Sequence, residues 1–329
     1  MMLSLALFIS ATHSPVQAQV EYAHHNTLTL LPEGYAQLLN GVATIYSENH
    51  KKIFQMGYVS SLSKAGIMIS DGFEEKSIFD SSGKLGTLPT GLDPKLSLIG
   101  RSSSYLVKVD RGTQSIRTNE EGEISIPVPV FAKSQISRNG NHFLIQVITN
   151  PKSEVYNIEH VIVSAKEKAK LDKISSPVPL TLNGITNTGY VFGSKLPGYE
   201  GTGAPPLDGV DQSPSFTVDY SCTPFVYKTG KGERPIQLSA KLAKNTINNI
   251  VAFWGEQDYL ILSTNNNRTH KPRDIYWCQD GKVTNLRDLL EIKNRQEYYF
   301  ADWDEETRRV LLLIGDEFAG EIQIFTIPK

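Results

Sequence analysis

The sequence predicts an all-β chain folded as a single β-propeller of six or seven four-stranded blades. Three observations lead there. From about residue 40 onward, short apolar runs alternate with Gly, Asn, Asp and Ser turn clusters, the pattern of consecutive antiparallel strands. Units of a polar turn followed by an apolar strand recur roughly every 40–60 residues, the length of a four-stranded blade with its connections. No long stretch carries apolar residues at helical spacing, so less than about a tenth of the chain is expected to be helical.

The strands are read from runs rich in β-branched and aromatic residues: Tyr105–Val109, Phe143–Val147, Tyr259–Leu262, Val310–Ile314 and Ile322–Phe325. Ser164 to Leu171, with its Lys, Glu and Ala, is the one tempting helix; it lacks a clean apolar face and reads equally well as a polar hairpin. The repeating turns are Ser137-Arg138-Asn139-Gly140 before Phe143, Asn187-Thr188-Gly189 before Tyr190, and Asp304 to Arg308 before Val310. Ile78 to Lys84, Ile116 to Gly122 and Ile275 to Lys282 read as further members of the series. The turn-then-strand units resemble the repeats of TolB-type bacterial propellers, which run S-x-D-G-x-x-h-h-h with h apolar. The resemblance implies a fold class and no functional residue.

A ring of blades must close, because an open blade leaves an unpaired strand edge. The C-terminus lies in a strand, Ile322–Ile327, and an early strand, Thr27–Leu31 or Val42–Tyr46, is expected to complete the last blade.

The apolar run Leu3 to Ile9, followed by a polar stretch ending Val16-Gln17-Ala18, reads as a signal peptide over residues 1–18 with cleavage after Ala18. Residues 19–329 then form the propeller domain, and the protein is expected to be exported, periplasmic or secreted. No later apolar run reaches the ~18 residues of a membrane span, so no membrane insertion is expected. With 33 Lys and Arg against 35 Asp and Glu, a net charge of −2 gives no positive field for nucleic acid.

Ser61-Leu62-Ser63-Lys64, Ser137-Arg138-Asn139 and Lys228-Thr229-Gly230 match in order the S-x-x-K, S-x-N and K-T-G elements of penicillin-recognising serine enzymes. The match is rejected. The nucleophile there opens a helix, whereas Gly66-Ile67-Met68-Ile69 reads as a strand, and Thr229-Gly230-Lys231-Gly232 reads as a turn. No G-x-S-x-G elbow, P-loop or G-x-G-x-x-G fingerprint occurs. The histidines at 13, 24, 25, 50, 142, 160 and 270 show no zinc spacing. Asp71, Glu74 and Glu75, and likewise Asp302, Asp304, Glu305 and Glu306, could offer oxygen ligands, but both groups read as solvated connections. No catalytic residue, metal or cofactor is therefore expected.

The stretch 194–215, with Gly198, Gly201, Gly203, Pro205, Pro206, Gly209 and Pro214, reads as an inserted loop. Its interaction-capable side chains are Tyr199, Asp208 and Asp211, the expected binding residues.

Two cysteines remain, Cys222 and Cys278. Aligning Phe225-Val226-Tyr227 with Asp274-Ile275-Tyr276 puts them at opposite ends of equivalent strands, about 20 Å apart, whereas export favours a bond. Compartment is given the greater weight, and a Cys222–Cys278 disulfide is expected. The functional expectation is a monomeric, non-enzymatic exported protein that holds another protein, such as an envelope inhibitor, immunity or assembly factor. The alternative is an exported propeller enzyme acting on sugars or small molecules.

Overall fold

The computed structural model describes residues 17–18, 27–62, 68–70, 77–80, 83–87, 106–110, 113–118, 122–126, 132–148, 158–164, 170–196, 221–264, 274–293, 296–315 and 320–329. Every paired strand is antiparallel to its neighbour, and five four-stranded blades carry described side chains through their cores. Strand β1 (Gln17–Ala18) comes first. Blade 1 follows as β2 (Thr27–Leu31), β3 (Gly34–Leu39), β4 (Val42–Ser47) and β5 (Lys52–Met56). Two smaller sheets come next. One is β6 (Val59–Leu62), β7 (Met68–Ser70), β8 (Ser77–Asp80) and β9 (Gly83–Thr87). The other has three strands, β10 (Leu106–Asp110), β11 (Thr113–Thr118) and β12 (Gly122–Ile126).

Blade 2 is β13 (Ala132–Ile136), β14 (His142–Ile148), β15 (Ile158–Ser164) and β16 (Lys170–Ile174). Blade 3 is β17 (Leu180–Ile185), β18 (Tyr190–Lys195), β19 (Thr223–Lys228) and β20 (Gly232–Glu233). Blade 4 is β21 (Ile247–Gly255), β22 (Asp258–Thr264), β23 (Asp274–Gln279) and β24 (Lys282–Asn285). Blade 5 is β25 (Glu297–Trp303), β26 (Arg309–Gly315) and β27 (Gly320–Thr326), with β1 outermost. Among the described residues helix is confined to a 3-10 turn at Leu242–Lys244 and to α1 (Leu286–Leu289), and none is long and apolar enough to cross a membrane.

The first strands of neighbouring blades touch, β13 on β17, β17 on β21, β21 on β25 and β25 on β2, so they line the axis. Blade 2 reaches blade 1 through Arg138, whose Nη1 donates to the Leu30 carbonyl at 2.7 Å. Five blades, rather than six or seven, therefore meet around the described axis. Dividing the chain by a blade length overcounts because residues 59–126 go into strands of three to six residues and their connections.

Alternation of side chains along each strand builds the layers between blades. Leu180, Leu182, Val191 and Phe225 face blade 2 and pack with Leu144, Ile162 and Ile174. From the same blade Phe192 and Val226 point the other way, into the core shared with Phe253, Tyr259 and Trp303. Phe192 is fully buried, stacked on Phe253 and edge-on to Trp303, an arrangement worth about 2–3 kcal/mol from burial. Between β23 and β24 an Asp280-Gly281 pair, both at positive φ, makes the tight hairpin turn whose twist matches the strands it joins.

The turns read from sequence as one series occupy different places. Ser137–Asn141, Thr186–Gly189 and Asp304–Arg308 each join the first and second strands of a blade. By contrast, 80–83 and 279–282 join third to fourth strands, and 118–122 joins β11 to β12. Ser164 and Lys170 are paired ends of β15 and β16, so both ends of the tempting helix lie in strands, and residues 165–169 lie outside the described residues. Closure of blade 5 also comes from elsewhere than expected: β2 and β4 belong to blade 1, and Gln17 and Ala18 pair with Glu321 and Gly320.

The expected disulfide is absent; both cysteines are buried thiols. Cys222 precedes β19 while Cys278 lies near the end of β23, and these are the third strands of adjacent blades. Both fill apolar positions of the same inter-blade core. Cys278 touches the Tyr259 hydroxyl, and burial pushes its thiol up to about 11, which makes it unreactive.

His160 sits on β15 on the same face as Ile162, which packs in the blade 2–blade 3 core. Its Nε2 has no hydrogen-bond partner among the described residues, and burial lowers the imidazole from 6.5 to about 4. The unfolded chain takes up this proton near 6.5 and the folded chain only near 4. Stability from the neutral ring is thus complete above about 6.5 and is lost as pH falls towards 4, by roughly 3 kcal/mol. His160→Gln is expected to flatten the fall in urea midpoint between pH 7 and 4.5; an unchanged slope would refute the assignment.

Candidate functional site

The acidic run 302–306 is where the blades converge, and it is not the solvated connection expected from sequence. Asp302 is 2% exposed and Asp304 is 8% exposed. Local geometry explains why. In β25 a bulge at Ala301, between the Phe300 and Asp302 pairs, re-aims the strand, and β17 and β21 carry bulges at the matching places, Asn183 and Val251. The residue after the bulge is Gly184 in blade 3, Ala252 in blade 4 and Asp302 in blade 5. A carboxylate thus replaces a small residue beside the axis.

Arg138, in the blade 2 turn, crosses to meet it. Its Nη2 donates to Asp302 Oδ2 at 2.5 Å, its Nε donates to the Trp303 carbonyl at 3.0 Å, and the Leu30 carbonyl takes Nη1. Asp302 Oδ2 also accepts from the Leu30 amide at 2.8 Å. One guanidinium and one carboxylate therefore fasten blades 1, 2 and 5 together.

The girdle continues around the same end. Asn139 donates from its backbone to Asn187 Oδ1 at 2.9 Å, and the Asn187 amide donates to Glu305 Oε2 at 2.5 Å. Glu305 is raised above the ordinary carboxylate range, mainly by burial, with Glu306 and Asp304 adding repulsion and the Asn187 amide opposing. Asp304 Oδ1 accepts from the Glu306 and Thr307 amides, shaping its own turn, and the Asp304 carbonyl receives Trp254 Nε1 at 3.3 Å. Arg309 ties Glu48 to the Leu31 carbonyl, and Arg308 lies over the Trp254 ring while pairing with Asp258.

These carboxylates serve cations and amides of neighbouring blades, a structural use. Among the described residues no three of His, Cys, Asp and Glu gather as a metal would need. Asp71, Glu74 and Glu75 lie outside the described residues. The rejected serine-enzyme match stays rejected. Ser61 is in strand β6, Ser137 Oγ donates to Asn139 Oδ1 at 2.8 Å inside its turn, and Lys228 covers the Tyr190 ring and reaches the Thr188 carbonyl.

No family model matches the sequence, and no curated protein matches it. Among solved structures the chain is similar to the β-propeller domain of the Trilobed protease from Pyrococcus furiosus, which has an open velcro topology. The two are 13% identical with a TM-score of 0.53, over 92% of this chain and 95% of that one. A TolB-like protein from Agrobacterium tumefaciens is 10% identical with a TM-score of 0.42, over 74% of this chain and 80% of that one. The fold is a β-propeller.

In a propeller with antiparallel blades, connections from first to second strands leave by one end, and those from second to third strands leave by the other. The girdle belongs to the first set. The second strands end and the third strands begin at the opposite end, β14 at Ile148 and β15 at Ile158, β18 at Lys195 and β19 at Thr223, β22 at Thr264 and β23 at Asp274. Tyr199, Asp208 and Asp211 fall within 197–220, outside the described residues. The expected loop boundary does shift: Ser194 and Lys195 belong to β18, and Leu196 is buried in the blade 3–blade 4 core. Both feet of the stretch are pinned. The Leu196 amide donates to the Pro179 carbonyl at 2.9 Å, while Cys222 bonds through its amide to Thr246 and through its carbonyl to the Asn248 amide.

Proposed function

We propose that this chain is a non-enzymatic binding protein, exported to the periplasm or beyond, that holds another protein at the propeller end opposite the Arg138 girdle. The observation that carries the reading is the division of labour between the two ends. At one end the converging side chains bond blade to blade, and Asp302, Asp304 and Glu305 all have structural partners there. At the other end the second and third strands are separated by longer stretches of sequence, and the residues flanking 197–220 are held by backbone bonds at Leu196 and Cys222. Rigid feet under a long connection suit recognition, because loops positioned by a firm scaffold present contact residues without the fold depending on them. Tyr199 offers amphipathic contact area, and Asp208 and Asp211 would steer a basic partner. The commitment of the axial carboxylates weighs against a sugar-cleaving pair on the axis.

Replacing 197–220 with a short Gly-Ser linker, leaving Leu196 and Cys222 in place, is expected to keep the melting temperature within about 2 °C, since surface changes away from buried contacts cost little. The same change should abolish capture of the proteins that the intact chain co-purifies from its exported fraction. Undiminished capture would transfer the binding role to another surface.

A further inference from the structure

Three asparagines stand directly before a glycine, Asn40, Asn139 and Asn183, and the fold treats them differently. Such a pair is open to attack by the main chain on its own side chain, because glycine has no Cβ to hinder the approach of its nitrogen to the asparagine Cγ. Asn183 and Asn139 are held. The Asn183 amide donates to Asn249 Oδ1 at 2.8 Å and to the Ile250 carbonyl at 2.7 Å, and the buried Gly184 pairs with Phe192 across β17 and β18. Asn139 Nδ2 donates to the Asn187 carbonyl at 3.3 Å, and Asn139 Oδ1 accepts from Ser137 Oγ at 2.8 Å and from the Asn141 amide at 3.0 Å. The Gly140 nitrogen is itself engaged, donating to the Ser137 carbonyl at 2.9 Å.

Asn40 is exposed at the tip of the β3–β4 hairpin. With Leu39 paired to Val42 and φ at 50° for Asn40 and 76° for Gly41, this is a two-residue hairpin turn in the left-handed region. The end of a hairpin opens at less cost than its interior, which gives the turn access to the rearranged geometry that attack requires. The same turn ties blade 1 to β6, for the Gly41 carbonyl accepts from the Val59 amide at 2.8 Å. We propose that Asn40 is a self-modification site at which the folded chain converts to isoaspartate, and that the conversion releases the tie between Gly41 and Val59. The Gly41 nitrogen attacks Asn40 Cγ, the bond from Cγ to Nδ2 breaks, and ammonia leaves with the proton from the attacking nitrogen, which closes a succinimide. Water then opens the ring, its hydroxyl going to a carbonyl carbon and its proton to the nitrogen. Breaking the bond to Cγ gives aspartate, whereas breaking the bond to the Asn40 carbonyl carbon gives isoaspartate, whose main chain runs through Cβ and Cγ. The molecule shows which product a turn of this kind accommodates. Asp280-Gly281, with φ of 48° and 79°, makes the equivalent turn between β23 and β24. Aspartate at position 40 therefore keeps the hairpin, while isoaspartate adds a main-chain carbon that the register of Leu39 with Val42 cannot absorb.

The test incubates the intact folded chain at mildly alkaline pH and follows each Asn-Gly peptide by mass spectrometry, with electron-capture fragmentation separating isoaspartate from aspartate. Asn40 is expected to convert at least tenfold faster than Asn139 and Asn183. In concentrated urea the three rates should converge, because the glycine is common to all and the protecting contacts are gone. Hydrogen exchange then reads the tie. The Val59 amide should exchange at least tenfold faster in the isoaspartate form than in fresh protein, and at an unchanged rate in Asn40→Asp. Equal conversion of the three asparagines in the folded chain, or faster conversion at Asn139 or Asn183, overturns the site. A spread of rates that persists in urea would assign the difference to neighbouring residues and refute the geometric argument. Unchanged Val59 exchange in the isoaspartate form overturns the release of the tie.

Discussion

Arg138→Met is expected to lower folding stability by about 3–5 kcal/mol, because it leaves the Asp302 carboxylate buried beside the axis without its guanidinium. The Leu30 and Trp303 carbonyls lose their donor in the same step. Changing Asp302 to Asn as well removes the stranded charge while keeping an oxygen for the Leu30 amide. The double variant should therefore recover about 1–2 kcal/mol relative to Arg138→Met alone, a coupling of the size seen between groups in one network. Urea unfolding of the four proteins of this cycle measures both quantities. A loss under about 1 kcal/mol for the single variant would mean that the ion pair is dispensable, as many exposed pairs are.

Gly193→Ala is expected to cost about 3 kcal/mol or more, at the upper end of what overpacking does. A Cβ there would lie 1.9 Å from the Thr181 carbonyl oxygen and 2.9 Å from Leu182 Cα, both backbone atoms that cannot swing aside. Gly193 pairs with Leu182 next to the β17 bulge, the bulge that frees Asn183 to donate to Asn249 Oδ1 and the Ile250 carbonyl of blade 4. Relief of the clash would shift β17 and disturb the blade 3–blade 4 seam. Gly255→Ala is the control, for nothing lies within 4 Å of its added carbon, and a change within ±0.5 kcal/mol is expected. Equal melting temperatures for the two variants would refute the clash.

The fold class was legible because strand alternation and turn composition are local properties. Phe143–Val147 and Val310–Ile314 announce strands without reference to any partner. The hub was not legible, because Asp302 and Asp304 look alike in sequence whether solvated or buried. Their burial depends on Arg138, more than 160 residues earlier. One signal could have found it: aligned on its bulge, β25 places Asp302 where sister strands have Gly184 and Ala252. The cysteines teach a related lesson. Their placement at opposite ends of equivalent strands followed from the repeat, and compartment chemistry was the wrong guide to pairing. Glycines and prolines set the expected loop at 194–215, but Ser194 and Lys195 belong to β18 and Leu196 to a core between blades, contacts that local composition does not record.

The Leu30 amide is made early in synthesis, and its acceptor Asp302 follows 272 residues later. At the ~5–20 residues per second of a ribosome, that gap lasts roughly 15–55 s. During this interval blade 1 can form its hairpins, but Leu30 and Tyr35 lack Leu311 and Ile322, the blade 5 residues that pack on them, and the Leu31 carbonyl waits for Arg309. The nascent chain therefore carries an exposed apolar blade edge for most of its translation, and a holding chaperone would have its greatest effect before the last blade emerges.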